Sequence, residues 1–312
     1  MLLALKIDVD TLRGTREGVP RLIEMLHQHD AGASFLFSVG PDHTGRAIKR
    51  VFRPGFMRKV QRTSVVRHYG VQTLLYGTLL PGPDIGRRAG DIMRRARDEG
   101  FEVGLHSWDH VRWQDGVEAA SAEWTGGEMQ RACERYTDIF KEPPRVHGAA
   151  GWQMNVHALR LTQALGFEFC SDGRGTHPHL PVWKAELIRC PQLPTTLPTF
   201  DELIGENGVT EDNVDEHLLA RTAPAAAAGT PQVFTLHAEL EGMRLAPVFE
   251  RLLVGWKEQG WRLTSMRGIY DTLQALALPR CEVEMQPVPG RSGTLFCQSQ
   301  EFLADVDLAQ AA

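Results

Sequence analysis

Short apolar runs alternate with segments of helical periodicity along most of the chain. Residues 2–9 form an apolar, strand-like run that ends in acidic residues, and residues 17–30 place apolar side chains at helical spacing before Gly32. Further strands are predicted at 33–39, 101–105, 145–149, 167–171, 232–236 and 261–264, and further helices at 85–99, 119–140, 155–165, 211–228 and 246–259. Strands that alternate with helices in this way predict a parallel sheet, either open and doubly wound or closed into a barrel.

Polar side chains that can carry chemistry follow the predicted strands directly. In (β/α) barrels the active site lies where strands end and loops begin, so this placement favours a barrel over an open sheet. The residues concerned are Asp8, Asp10, His106, His110, Asp172, Arg174, His237 and Glu239. The prediction is therefore an α/β fold, a distorted (β/α) barrel in which four strand ends converge on one rim.

The length of the chain allows one large core with an insertion. Its 312 residues contain no internal repeat and no obvious interdomain linker. We predict a barrel domain over residues 1–278, with an inserted segment at about 43–84. Little periodicity remains after Leu278, and residues 279–312 are predicted to form a C-terminal tail.

Composition and charge exclude several classes of protein. With 42% apolar and 23% charged residues the chain is typical of globular proteins, and its formal net charge of -5 argues against nucleic acid as a partner. The five cysteines lie far apart and form none of the close pairs that structural zinc sites use, which indicates reduced thiols. No apolar run is long enough to cross a bilayer, and Lys6 cuts the opening apolar run too short for a signal peptide. The expected location is the cytoplasm.

Two imidazoles and two carboxylates are spaced so that they can meet in one pocket, where some of them can bind a metal ion. His106 and His110 lie four residues apart after a predicted strand, a spacing that lets both rings face one point. Asp8 and Asp10 lie two apart on a strand and therefore point to the same side. The alternatives are surface histidines and acids that cap the following helix. Two histidines and one carboxylate leave positions open for water and substrate, so we predict one divalent ion, zinc by default, in a hydrolytic site.

A metal-dependent hydrolase also needs a base and an acid. One of the two carboxylates would take a proton from water, and a separate group would protonate the departing amine. His237 fits the second role because it ends the apolar strand 233–236 at the same rim. The alternative is a loop histidine without a catalytic role.

In their order along residues 1–275, these motifs resemble the polysaccharide deacetylase family, which is also described by its NodB homology. The resemblance implies that Asp8 is the catalytic base and that His237 is the catalytic acid. It also implies that Asp10, His106 and His110 are the metal ligands.

The resemblance extends to supporting residues, with one departure. Asp172 falls where the family has an acid that supports the base or the acid histidine, which implies an orienting role. Where many members have an Arg-Pro-Pro-Tyr type segment, this chain has Gly-Ala-Ala-Gly-Trp at 148–152. The arginine of that segment pairs with the base, and Arg174 is the candidate to replace it. A backbone amide near Gly151 or Trp152 can still form the oxyanion hole, and Trp152 is a candidate wall of the sugar site.

Longer stretches narrow the resemblance to the 4-deoxy-4-formamido-L-arabinose-phosphoundecaprenol deformylases of bacterial lipid A modification. The similar stretches are residues 7–11, 13–22, 37–42, 149–152, 197–199, 237–239 and 241–242. The resemblance implies that formate is removed from the 4-formamido group of an arabinose carried on undecaprenyl phosphate. The exposed amine later reduces the negative charge of lipid A, a modification tied to antibiotic resistance. Glu239 is a candidate contact of the sugar or the product amine, with an ordinary loop acid as the alternative.

A lipid-linked substrate gives the basic insertion a possible use. Residues 45–83 include no acidic side chain, and their Lys and Arg residues are interleaved with Phe, Val, Ile and Met. This pattern is typical of contact with anionic headgroups of the inner leaflet, or of a charged helix whose apolar face packs on the barrel; the two are compatible. The candidate membrane-contact residues are Arg50, Arg53, Phe56, Arg58 and Lys59. The expected enzyme is cytoplasmic and peripheral on the inner membrane.

Two other functions compete with a lipid-linked sugar deformylase. The first is an N-deacetylase of another aminosugar, which the short opening run and the basic insertion disfavour. The second is a barrel that binds lipid-linked sugars without catalysis. The presence of all five metal-binding and catalytic residues argues against the second.

Overall fold

The structure, a computed structural model, describes residues 1–47, 70–273 and 277–303. Its strands are β1 (Leu2–Val9), β2 (Ser34–Ser38), β3 (Glu102–Ser107), β4 (Val146–His147), β5 (Phe169–Cys170), β6 (Leu180–Trp183), β7 (Glu186–Leu187), β8 (Gln232–His237), β9 (Arg262–Thr264), β10 (Arg280–Pro287) and β11 (Thr294–Glu301). Its α-helices are α1 (Val19–Gln28), α2 (Val71–Leu75), α3 (Ile85–Asp98), α4 (His110–Gly116), α5 (Ala122–Phe140), α6 (Val156–Ala164), α7 (Phe200–Leu203), α8 (Val214–Ala228), α9 (Ala246–Glu258) and α10 (Met266–Tyr270). Every strand and helix predicted from the alternation is present, because apolar periodicity reports directly on which side chains are buried.

The barrel strands lie side by side in the order β5-β4-β3-β2-β1-β8, and β9 pairs with the beginning of β1. These pairs are parallel. Extended residues 191–197 bridge the gap between β5 and β8, since Leu193 N donates to Cys170 O at 2.7 Å and Thr196 N donates to Val233 O at 3.0 Å. An irregular segment thus takes the place of a strand, and the predicted distorted barrel is confirmed.

The side chains of β1 alternate between two layers. Leu5 and Ile7 pack against the helices in the main hydrophobic core, whereas Ala4 belongs to a separate cluster inside the barrel. Lys6 and Asp8 share the inward face with Ala4, because alternate residues of a strand point to the same side. The strand therefore delivers two charged groups to the barrel interior.

Residues 280–301 form a hairpin within the segment that the sequence predicted to be a tail. β10 and β11 are antiparallel, and β10 pairs in parallel with β6, which together with β7 completes a second sheet. The hairpin also contacts the barrel, because Arg174 N donates to Phe296 O at 2.9 Å. A signal for the first of these strands exists at 281–286, where apolar side chains alternate with acidic and amide ones.

The predicted insertion is described only at its two ends. The candidate membrane-contact residues Arg50, Arg53, Phe56, Arg58 and Lys59 lie outside the described residues. At the second end, which includes α2, Val71 is 64% exposed and Leu79 is 81% exposed. Among the helices of the described ranges, none is long and apolar enough to span a membrane.

Candidate metal and catalytic site

Neighbouring strands bring five polar side chains to one end of the barrel. Asp8 lies near the end of β1, and its register partner on β8 is His237. Asp10 follows β1 directly, His106 lies in β3 and His110 is the first residue of α4. Because these strands are parallel, the five groups meet at the same rim. The structure therefore brings together all five residues that the sequence predicted for metal binding and catalysis.

The carboxylate of Asp10 lies between two imidazoles. Its Oδ1 is 3.3 Å from His106 Nε2, and its Oδ2 is 3.4 Å from His110 Nε2. One ligand atom from each of the three residues lies within 4.8 Å of the others, which is the spacing of a shared ion. The position of His110 follows from α4, whose first turn is capped by Asp109 through a hydrogen bond from Arg112 N at 3.1 Å.

A backbone carbonyl orients the first of these histidines. His106 Nδ1 lies 2.7 Å from the carbonyl oxygen of Gly148. Since a carbonyl only accepts hydrogen bonds, Nδ1 carries the proton and Nε2 is left to bind a metal. Residue 148 must be small here, because a Cβ would lie 2.4 Å from Leu36 Cδ1 and 3.0 Å from Lys6 Cε.

The charges of the site fit a cation. Burial raises the pKa of Asp10, but His110 and His106 outweigh that effect and hold the pKa well below its usual range. Burial lowers the pKa of His106, but Asp8 and Asp10 outweigh it and the net shift is upward. Oδ1 of Asp8 and Oδ1 of Asp10 are buried and have no hydrogen-bond partner in the part of the chain that the structure describes. Unpartnered carboxylate oxygens beside imidazole nitrogens are the donor set of a zinc-type site.

Lys6 is a residue that the sequence analysis missed. It is fully buried, and its Nζ lies 3.2 Å from Asp8 Oδ2. The signal was a lysine inside an otherwise apolar strand, two residues before Asp8 and therefore on the same face.

His237 is held through its backbone rather than through a carboxylate on its ring. Its amide donates to Glu241 Oε2 at 2.8 Å, while its ring Nδ1 has no hydrogen-bond partner among the described residues. The ring lies 6.4 Å from that of Trp152, nearly perpendicular to it. Burial raises the pKa of Glu241 to about 8. Glu241 therefore holds its proton to a higher pH than an ordinary glutamate.

Asp172 lies on the outer side of the barrel wall. His147 Nδ1 is 2.6 Å from its Oδ1, and Gln192 Nε2 donates to its Oδ2 at 2.8 Å. Asp172 was predicted to support the base Asp8 or the acid His237. This prediction is wrong, because the carboxylate contacts His147 and orients that ring instead. The physical reason is strand parity, because Asp172 shares a side with Cys170 in the main core and not with the barrel interior.

The residues around Asp172 do not contact the proposed metal ligands directly. His147, Cys170 and Asp172 also have the spacing of a metal site. Both carboxylate oxygens of Asp172 are already hydrogen-bonded, so the cluster is a satisfied polar network within the core. His147 precedes Gly148, whose carbonyl orients His106, so the network lies one residue along the chain from that contact.

Glu239 shapes the loop that carries Asp10. Its Oε1 accepts hydrogen bonds from Asp10 N at 3.1 Å and from both the amide and the hydroxyl of Thr11, at 2.9 and 2.8 Å. Residue 14 must be glycine, since a Cβ there would lie 1.9 Å from the same oxygen. Glu239 is buried and its Oε1 is engaged by these contacts, so in the structure it holds the metal-binding loop; its contact with the sugar or the product amine stays a prediction.

Trp152 and Arg174 are also engaged within the protein. The amide of Trp152 donates to Ala149 O at 3.1 Å and is therefore not free to hold an oxyanion, which leaves the amide of Gly151 as the candidate. The Trp152 side chain is only 2% exposed, so it offers little surface to a sugar in this structure. Arg174 pairs with Glu202 at 2.5 Å and not with Asp8. The cation beside Asp8 is Lys6.

Comparisons with known proteins identify the family and the fold of this chain. The polysaccharide deacetylase family matches residues 4–170. A protein of Mycobacterium smegmatis assigned as a polysaccharide deacetylase has the same fold, with a TM-score of 0.60, 16% identity, and coverage of 92% of this chain and 94% of that one.

Two curated relatives are more similar in sequence. Both are named probable 4-deoxy-4-formamido-L-arabinose-phosphoundecaprenol deformylase ArnD. The protein of Shewanella sediminis is 37% identical over 95% of this chain and 94% of its own length. The protein of Wigglesworthia glossinidia brevipalpis is 30% identical over 92% of this chain and 99% of its own length. The predicted membership is confirmed, and the chain belongs to the polysaccharide deacetylase family, together with these deformylases.

Proposed function

We propose that this protein hydrolyses the 4-formamido group of 4-deoxy-4-formamido-L-arabinose linked to undecaprenyl phosphate, and releases formate and a free 4-amino sugar for lipid A modification. The observation that carries the proposal is the meeting of Asp8, His237 and the three potential metal ligands at one rim of the barrel. The names of the two curated relatives support the choice of substrate. The reaction adds water across an amide bond and needs no further reactant.

One divalent ion, which we propose to be zinc, would be held by Asp10, His106 and His110. Its chemistry is that of a Lewis acid, which polarises the formyl carbonyl and makes water a better nucleophile. The geometry that favours it is the pair of imidazole Nε2 atoms on either side of the Asp10 carboxylate. The hydrogen bond from His106 to Gly148 O keeps one of these nitrogens in the form that binds a metal.

Asp8 and His237 divide the proton transfers between them. Oδ1 of Asp8 is buried and unpartnered, so it is available to take a proton from the attacking water. His237 lies on the neighbouring strand and donates a proton to the amine nitrogen as the C–N bond breaks. The amide of Gly151 is the proposed donor to the developing oxyanion. Trp152 packs behind His237 and keeps its ring in place.

The carrier lipid of this substrate requires contact with a membrane surface. We propose that the insertion makes this contact through Arg50, Arg53, Phe56, Arg58, Lys59 and the exposed apolar residues that follow. Val71 and Leu79 support the proposal, because exposed apolar side chains beside a basic segment can enter the headgroup boundary of a bilayer. An anionic inner leaflet would attract the basic part of the segment.

Vesicle binding tests the membrane contact. Changing Val71 and Leu79 to serine is expected to reduce binding to anionic phospholipid vesicles about 30-fold, because burial of each apolar side chain contributes on the order of 1 kcal/mol and the two together about 2 kcal/mol. The matched control changes two exposed leucines elsewhere, Leu165 and Leu187, to serine. Equal binding by both double variants and the wild type in a co-sedimentation assay would remove this surface from the proposal.

Matched acyl substrates test the reaction itself. We expect the protein to release formate from a short-chain lipid carrier bearing the 4-formamido sugar, and to release acetate from the 4-acetamido analogue at a much lower rate. Equal rates would favour a general N-deacetylase. Binding of both compounds without release of either acid would favour a barrel that binds lipid-linked sugars without catalysis.

A further inference from the structure

Lys6 places a buried ammonium group beside the proposed base. Its side chain is fully inaccessible to solvent, and its Nζ has no hydrogen-bond partner in the described ranges. Its ion pair is with Asp8, at 3.2 Å from Oδ2. Lysine is seldom buried completely, because the loss of hydration is costly and one ion pair offsets it only in part. A charge kept at this cost, facing a catalytic carboxylate, points to a use in the site.

The ion pair makes the two oxygens of Asp8 unequal. Oδ2 faces the ammonium group, whereas Oδ1 lies 3.8 Å from His106 Nδ1 and has no hydrogen-bond partner among the described residues. A carboxylate without a fixed partner can rotate about its last side-chain bond. Contact with Lys6 restrains that rotation, so one oxygen is held and the other stays directed toward the metal-binding histidine.

The surroundings of Lys6 are shaped to hold this lysine in place. Its Cε lies 3.0 Å from where a Cβ of residue 148 would stand, so Gly148 leaves room for the side chain. Its Nζ lies 5.3 Å from the centre of the Trp152 ring, at cation–π distance. No other lysine or arginine of the described chain forms an ion pair with Asp8, and Arg174 is committed to Glu202.

We propose that Lys6 is a positioning residue that fixes the Asp8 carboxylate for proton transfer and does not bind the metal or the substrate. The inference rests on the proposed base role of Asp8. It assigns the cationic partner of the base to the same strand, two residues before it, rather than to the segment 148–152.

A double-mutant cycle tests this inference. Lys6→Met is expected to lower kcat for formate release about 100-fold, because small misplacements of a catalytic group cost rates of that order. KM and the zinc affinity measured by competition with a chelating dye are expected to change less than about threefold. Lys6→Arg, which keeps the charge, is expected to restore most of kcat. In an Asp8→Asn background, Lys6→Met is expected to cause no further loss, because the group on which it acts is gone.

Other results of these measurements would contradict either the role of Lys6 or the proposed function of the protein. Losses that multiply in the double variant would show that Lys6 acts independently of Asp8, and a weakened zinc affinity in Lys6→Met would show a role in the metal site. If Lys6→Met does not fold, Lys6→Arg carries the test, and a loss equal to that of Asp8→Asn would contradict the inference. No formate release by the wild type would instead reject the proposed function.

Discussion

Replacing Asp8 by asparagine is expected to lower kcat for formate release by about 10²–10⁴-fold, the usual contribution of a general base. The side chain keeps its shape but can no longer take a proton from water. Because Asp8 is not among the three proposed metal ligands, the protein is expected to bind one zinc ion as tightly as before. Single-turnover formate release and zinc titration of the same preparation measure the two effects.

The matched control for this variant is Asp271→Asn, which changes an exposed aspartate in the same way. It is expected to leave both activity and zinc affinity unchanged. An Asp8→Asn protein that releases formate at the wild-type rate would show that another group takes the proton. An inactive variant that has also lost its zinc would place Asp8 among the metal ligands.

Replacing His106 by alanine is expected to remove both metal binding and hydrolysis. The loss of even an outer partner of a metal ligand costs about 10–100-fold in affinity, so the loss of a ligand is expected to cost more. His106 is buried, and its ring nitrogens lie near Asp10 and the Gly148 carbonyl, so alanine at this position removes a nitrogen ligand from the centre of the site. Zinc content after dialysis and formate release are the measurements.

The control here is His217→Ala, at an exposed position on α8. It is expected to keep one zinc ion and full activity. A His106→Ala protein that retains one tightly bound zinc ion would mean that the ion lies elsewhere, for example at the cluster of His147, Cys170 and Asp172.

The fold could be predicted from the sequence wherever burial follows a simple period. β1, β2 and the helices that follow them have strong apolar patterns, and their order is enough to indicate a parallel barrel. The segment 191–197 could not be recognised as the closing piece, because it makes an isolated bridge with β5 and single hydrogen bonds to Val233 of β8 rather than a regular strand pair. In the hairpin after residue 279, the first strand, β10, has an alternating apolar pattern. The strand with which β10 pairs, β6, lies about 100 residues earlier, so the pairing could not be predicted.

The site could be predicted where a residue acts through its own chemistry, and less well where it acts through a partner. Asp10, His106 and His110 have ligand side chains at strand ends, and their convergence follows from the barrel. Glu239 and Asp172 were expected to face the reacting groups. In the structure Glu239 accepts a hydrogen bond from the amide of Thr11, and Asp172 is hydrogen-bonded to the ring of His147. The side that Asp172 faces follows from the parity of β5, whereas Glu239 lies in the loop after β8, where tertiary packing decides which way a side chain points.

The most direct test of a metal-dependent deformylase is to add zinc stepwise to the metal-free protein and measure formate release from the lipid-linked 4-formamido sugar. We expect no release without metal, and activity that rises in proportion to bound zinc until one ion per chain is reached. Full activity in the metal-free protein, or one bound zinc ion with no formate released, would contradict the account.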